Sequence, residues 1–111
     1  MNILFIEDEK DLTESGIAQL ELKGYTVIPA KDLAEARAVL DDPDQRVDFL
    51  ITDHRLPDGL GIQFLIDLKE SFPRSKCAVV SGCLTDRDIV KLEALEIPYF
   101  RKPLLYAKVI D

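Results

Sequence analysis

The sequence predicts an α/β fold: a doubly wound, five-stranded parallel sheet with helices on both faces. Three observations predict it. Short apolar runs rich in Ile, Val, Phe and Leu alternate with stretches of helical periodicity along the whole chain, as buried parallel strands and their crossover helices do. The runs begin at residues 3, 25, 47, 77 and 97, a spacing of roughly 20 to 30 residues, the length of one βα unit. The 111 residues hold no low-complexity segment, linker or longer repeat, which suits one domain covering residues 1–111. Right-handed crossovers then place helices on both faces of the sheet.

The first strand is Ile3–Ile6, and the helix after it, Asp11–Lys23, carries Leu12, Gly16 and Leu20 on one face. Tyr25–Ile28 is the second strand, and Leu33, Ala36 and Leu40 mark a helix over Leu33–Leu40. Val47–Thr52 is the third strand. Its helix, Ile62–Ser71, places Ile62, Leu65, Ile66 and Lys69 on neighbouring turns and is closed by Pro73. Cys77–Ser81 is the fourth strand. Thr85-Asp86-Arg87-Asp88 then resembles a capping box, with Asp in place of the usual Glu, ahead of Ile89, Leu92 and Leu95. The fifth strand, Ile97–Phe100, is followed by Lys102-Pro103. The last stretch, Leu104 to Asp111, is about 12 Å long as a helix, so the fifth helix is either very short or cut.

Composition narrows the function. With 14 Lys+Arg against 21 Asp+Glu the net charge is −7, so direct nucleic-acid or anionic-membrane binding, which needs clustered basic residues, is not expected. No apolar run is long enough to span a bilayer, and the opening apolar residues meet Glu7-Asp8-Glu9 too early for a signal peptide. A cytoplasmic location is expected. Cys77 and Cys83 have neither metal-site spacing nor further cysteine partners and read as reduced thiols.

In open parallel sheets the functional crevice lies at the carboxyl ends of the strands. Here the first strand ends in Glu7-Asp8, the third in Asp53, the fourth in Ser81-Gly82, and the fifth is followed by Lys102. Three carboxylates on one sheet edge repel one another unless a cation neutralises them. Lys102 and a divalent ion do so, and the oxygen ligands favour Mg²⁺ or Mn²⁺. Asp53 is then a candidate nucleophile towards phosphorus, with Ser81 donating a hydrogen bond and Lys102 neutralising phosphoryl oxygens. The site reads as an aspartyl-phosphate site.

Glu7-Asp8, Asp53 with Leu56-Pro57 and Gly61, Ser81-Gly82 and Lys102-Pro103, in this order, resemble the receiver domain of two-component response regulators over essentially the whole chain. The resemblance implies a flavodoxin-like sheet of order 2-1-3-4-5. It implies that Asp53 takes a phosphoryl group from a sensor histidine kinase or phosphotransfer protein. Mg²⁺ would be held by Glu7, Asp8, Asp53 and the backbone carbonyl of Arg55, and the phosphoryl oxygens by Ser81, Gly82 and Lys102. Ser81 and Tyr99 would act as the switch, repacking the face of the fourth helix, fifth strand and fifth helix for a downstream effector domain or protein, with room for a homodimer there. Arg55 and Cys83 would tune the lifetime of the phosphoryl group. Such a domain signals; it assists its own Mg²⁺-dependent phosphorylation and dephosphorylation without being an enzyme in the ordinary sense.

The chain departs from the family pattern at Glu7, where Asp is commoner, and in the glycine-rich Leu56-Pro57-Asp58-Gly59-Leu60-Gly61 loop. A haloacid-dehalogenase-type phosphatase is disfavoured because its Asp-x-Asp nucleophile follows the first strand. An FMN protein is disfavoured for want of a phosphate loop there. The remaining rival is a receiver-like protein-binding module that signals without phosphorylation. His54, the sole histidine, reads as structural or solvent-facing.

Overall fold

A computed structural model describes residues 1–68, 72–73, 76–102 and 106–110. The described elements are β1 (Asn2–Ile6), α1 (Lys10–Leu22), β2 (Thr26–Ala30), α2 (Leu33–Asp41), β3 (Phe49–Thr52), β4 (Arg55–Leu56), β5 (Gly59–Leu60), α3 (Gly61–Leu68), β6 (Cys77–Ser81), α4 (Asp86–Ala94), β7 (Tyr99–Arg101) and α5 (Ala107–Ile110). The main sheet has five parallel strands in the order β2-β1-β3-β6-β7, the topology expected from the sequence. The β4–β5 hairpin is an addition that the sequence reading missed. Lys69 and Ser71 of the expected third helix lie outside the described residues, as do Pro103, Leu104 and Asp111.

Side chains of the central strands alternate between two cores, as a period of two requires. Leu4, Ile6, Leu50, Cys77 and Val79 face the helices α2, α3 and α4 through Ala36, Ile62, Leu65 and Leu92. Ile3, Phe5, Ile51, Ala78 and Val80 face Leu20 of α1 and Tyr106 and Val109 at the end of the chain. The central strands β1, β3 and β6 are buried on both sides, which explains their mostly apolar sequences. Both cysteines are free, Cys77 buried and Cys83 exposed, and burial pushes the Cys77 thiol up to about 12.

The expected strand ends at Ile6, Thr52 and Ser81 are found, whereas β2 runs on from Ile28 to Ala30 and β7 from Phe100 to Arg101, each still paired to its neighbour. The expected strand at Tyr25 begins at Thr26 because the Tyr25 N–H closes α1 on the Leu20 carbonyl, 3.2 Å away. The expected start at Ile97 moves to Tyr99 because the Ile97 N–H closes α4 on Leu92, at 3.0 Å, and Pro98 has no N–H to give. Val47 and Asp48 lie ahead of β3, although the Asp48 N–H still reaches the Asn2 carbonyl at 2.8 Å. The capping box at Thr85 and Asp88 is formed in both directions.

The two helix ends just named share one geometry and differ in one residue. Each places a left-handed residue after the cap, Gly24 at φ 88° behind α1 and Glu96 at φ 58° behind α4, with the paired closing hydrogen bonds of a Schellman motif. Glycine adopts this conformation freely, whereas a side chain pays a steric cost. Glu96→Gly is therefore expected to stabilise the domain by about 0.5–1 kcal/mol. Urea denaturation should show a higher midpoint at unchanged slope; an unchanged or lower midpoint would contradict it.

Candidate functional site

Three of the site residues come from the position just past a strand, and each continues the ladder by one hydrogen bond. The Glu7 N–H donates to the Ala30 carbonyl at 3.0 Å, Asp53 to Ile6 at 3.0 Å and Lys102 to Ser81 at 3.2 Å. Their backbones are thus held in register at one edge of the sheet while their side chains gather in one place. Asp8, Asp53, Arg55, Ser81, Cys83 and Lys102 line a cleft of about 340 Å³, with Gly82, Glu9 and Leu12 completing its wall.

The electrostatics of the cleft centre on one ammonium. Lys102 Nζ donates to Asp53 Oδ2 at 3.1 Å and also to Glu7 Oε1. Burial works against the charge on Lys102, but the hydrogen bonds to Glu7 and Asp53 outweigh it and raise its pKa. Glu7 is shut away from water, its side chain 1% exposed; burial raises its pKa, opposed by Lys102. The other Glu7 oxygen accepts from the Glu9 N–H at 3.3 Å. Asp53 Oδ1 accepts from the His54 N–H at 2.7 Å.

Carboxylate oxygens of Glu7, Asp8 and Asp53 lie within 4.8 Å of one another. Lys102 bonds two of these acids and Arg55 stands on the cleft wall, leaving a hard, oxygen-only donor set that fits a divalent cation. The Arg55 carbonyl, the fourth oxygen expected from the resemblance, lies on the hairpin. Gly61 N–H donates to the His54 carbonyl at 2.6 Å, and the pairing Arg55↔Leu60, Leu56↔Gly59 continues from it. Hydrogen-bonded and non-bonded positions alternate along an antiparallel ladder. The 54/61 position is bonded, so 55/60 is not, and the Arg55 carbonyl is not consumed by the opposite strand.

Ser81 is buried at 2% exposure and its Oγ accepts from the Cys83 N–H at 3.2 Å, which leaves its own O–H proton available to donate. Gly82 and Cys83 are exposed beside it. Tyr99 stands apart from the cleft: half-buried on β7, it donates its hydroxyl to Glu93 of α4 at 2.9 Å.

Two further features shape this edge, one left open by the sequence and one missed by it. Of the alternatives left open for His54, the structure takes the structural one: the ring is 4% exposed. Its Nδ1 accepts from the Ile62 N–H at 3.5 Å, and Nε2 faces Asp88 Oδ1 at 3.5 Å. Burial lowers its pKa, against the pull of Asp88. The second is the β4–β5 hairpin, whose signal was Pro57-Asp58-Gly59, residue types that favour a tight turn.

The description of the response regulator receiver domain matches residues 3–105 of this chain. The chain belongs to the response regulator receiver family. Among curated receivers, it is 35% identical over 102 residues to the transcriptional regulatory protein CpxR of Klebsiella pneumoniae, covering 91% of this chain and 42% of that protein. It is 29% identical over 108 residues to the transcriptional regulatory protein VxrB of Vibrio cholerae, covering 96% of this chain and 42% of VxrB. The receiver thus spans less than half the length of these relatives. In fold it matches a CheY-like receiver from Methanospirillum hungatei with a TM-score of 0.85 at 24% identity, covering 98% of this chain and 86% of the other. No helix among the described residues of the receiver is long and apolar enough to cross a membrane.

Proposed function

We propose that this receiver takes a phosphoryl group onto Asp53 in a Mg²⁺-dependent reaction and thereby switches a protein-docking surface. The observation that carries the reading is the convergence of Glu7, Asp8 and Asp53 within 4.8 Å, with Lys102 bonded to two of them. A carboxylate oxygen of Asp53 forms the bond to phosphorus as the bond from phosphorus to the donor, a histidine nitrogen or acetate oxygen, breaks. Glu7, Asp8, Asp53 and the Arg55 carbonyl would hold Mg²⁺, which supplies positive charge to the phosphoryl oxygens and draws the acids together. Lys102 adds a second positive charge, and the free O–H of Ser81 and the backbone at Gly82 offer hydrogen bonds to those oxygens.

Ser81 and Tyr99 form the switch in this reading. A shift of the Ser81 loop repacks β7 and α4, which Tyr99 and Glu93 already tie together. Val90, 68% exposed on α4, gives this face apolar area for an effector domain, a partner protein or a second copy. A sensor histidine kinase or phosphotransfer protein is the donor, and the reaction belongs in the cytoplasm. Arg55 and Cys83 flank the cleft and set how long the phosphoryl group survives hydrolysis, which the receiver assists without acting as a separate enzyme. An Arg55→Ala receiver that loses its phosphoryl group at the wild-type rate would remove Arg55 from that role.

The deciding experiment is intact mass after incubation with acetyl phosphate and Mg²⁺. One phosphoryl gain is expected, absent in Asp53→Asn and absent without metal. No gain under any condition would favour a docking module that signals without phosphorylation.

A further inference from the structure

Asp58 lies outside the cleft, yet its two oxygens are both engaged by another element. Oδ1 accepts from the Leu33 N–H at 2.9 Å and Oδ2 from the Ala34 N–H at 3.0 Å. These are the first two amides of α2, which the helix itself leaves without partners. The third, Glu35 N–H, is met at 2.8 Å by the helix's own cap, Asp32. A carboxylate is well suited to the positive end of a helix, and the hydrogen bonds from Leu33 and Ala34 hold Asp58 below the usual carboxylate value. The turn sits close on the helix, since a Cβ built on Gly59 falls 2.9 Å from Leu33 Cδ1.

Asp58 is the tip of the hairpin whose β4 strand presents the Arg55 carbonyl. Each strand of that hairpin has two residues, too few to be stable without external support. At its base it is tied by Gly61 to His54; at its tip the tie is Asp58 on α2. We propose that Asp58 is a positioning residue for the metal site: by bonding the first two amides of α2 it fixes the hairpin and hence the Arg55 carbonyl. This rests on the Mg²⁺ site described under the proposed function.

The test is Mg²⁺ affinity by calorimetry for wild type, Asp58→Ala, Asp58→Asn and Asp32→Ala, with thermal melts in EDTA. Asp58→Ala should weaken Mg²⁺ binding roughly tenfold, the low end of what outer partners of metal ligands contribute. Asp58→Asn keeps an acceptor for one of the two amides and should fall between. Asp32→Ala removes a cap from the same helix while leaving the Asp58 carboxylate in place; it should lower the melting temperature but weaken Mg²⁺ binding clearly less than Asp58→Ala does. An Asp58→Ala receiver that binds Mg²⁺ like wild type, or an Asp32→Ala receiver as weakened as Asp58→Ala, overturns the inference alone. Wild type that binds no Mg²⁺ overturns the reading of the site and the inference with it.

Discussion

Replacing Gly61 with alanine is expected to destabilise the receiver by about 3 kcal/mol, at the upper end of overpacking costs. A Cβ at this position falls 2.1 Å from the Asp53 carbonyl oxygen and 3.1 Å from both the Asp53 carbonyl carbon and Thr52 Oγ1. The nearest atoms are backbone, so no rotamer change relieves the clash. The Asp53 carbonyl is also held by Thr52 Oγ1–H at 2.8 Å. Either α3 moves away from β3, losing the burial of Ile62 and Leu65, or Asp53 moves with its carboxylate. Urea denaturation measures the first cost, and the rate of phosphoryl uptake from acetyl phosphate reports the second. Gly82→Ala is the stability control, because its added Cβ meets nothing nearer than Lys102 Cβ at 4.0 Å. Equal stability of Gly61→Ala and wild type would show that the close approach is relaxed in solution.

Lys102→Ala should act on both stability and chemistry. The ammonium lies between Asp53 and Glu7, and the Glu7 side chain is 1% exposed. Removing one partner of a buried ion pair strands the other charge. With Lys102 itself 16% exposed, the expected loss in EDTA is about 2–3 kcal/mol, below the range for fully buried pairs. Phosphoryl uptake should fall by about a hundredfold or more, since a positive charge aimed at the transferring group is lost. The double variant Glu7→Gln/Lys102→Ala leaves Asp53, 12% exposed, as the acid that loses its ammonium, and should recover part of the stability of Lys102→Ala but none of its uptake. A strictly additive double variant would mean that Glu7 and Lys102 are not coupled.

Much of the site was legible because a buried parallel strand writes its own end. Ile3 to Ile6, Phe49 to Thr52 and Cys77 to Ser81 run apolar or small until the chain leaves the sheet, so Glu7, Asp53 and Gly82 mark the same edge. The Thr85 cap was legible because its two partners are three residues apart. What was not legible depends on distant partners. Asp58 bonds amides 25 and 24 residues away, and a turn signature cannot reveal that its acid caps another helix. His54 is buried because α3 and α4 close over it, a tertiary fact with no local pattern. The starts of β2 and β7 slipped because the amides of Tyr25 and Ile97 were already taken by the helices before them.

The ion pairs at Lys102 have a consequence for the order in which the chain can become competent. They close loops of 95 residues to Glu7 and 49 to Asp53, the most entropically remote contacts of the cleft. Until β7 docks, the three acids have no ammonium among them. The ammonium arrives with β7, an edge strand of three residues paired on one side only. Edge elements open at lower free energy than the whole domain. On the proposed function, readiness to accept phosphorus is therefore governed by the docking of this last strand, and a brief fraying of it silences the acceptor while the remaining sheet stays intact.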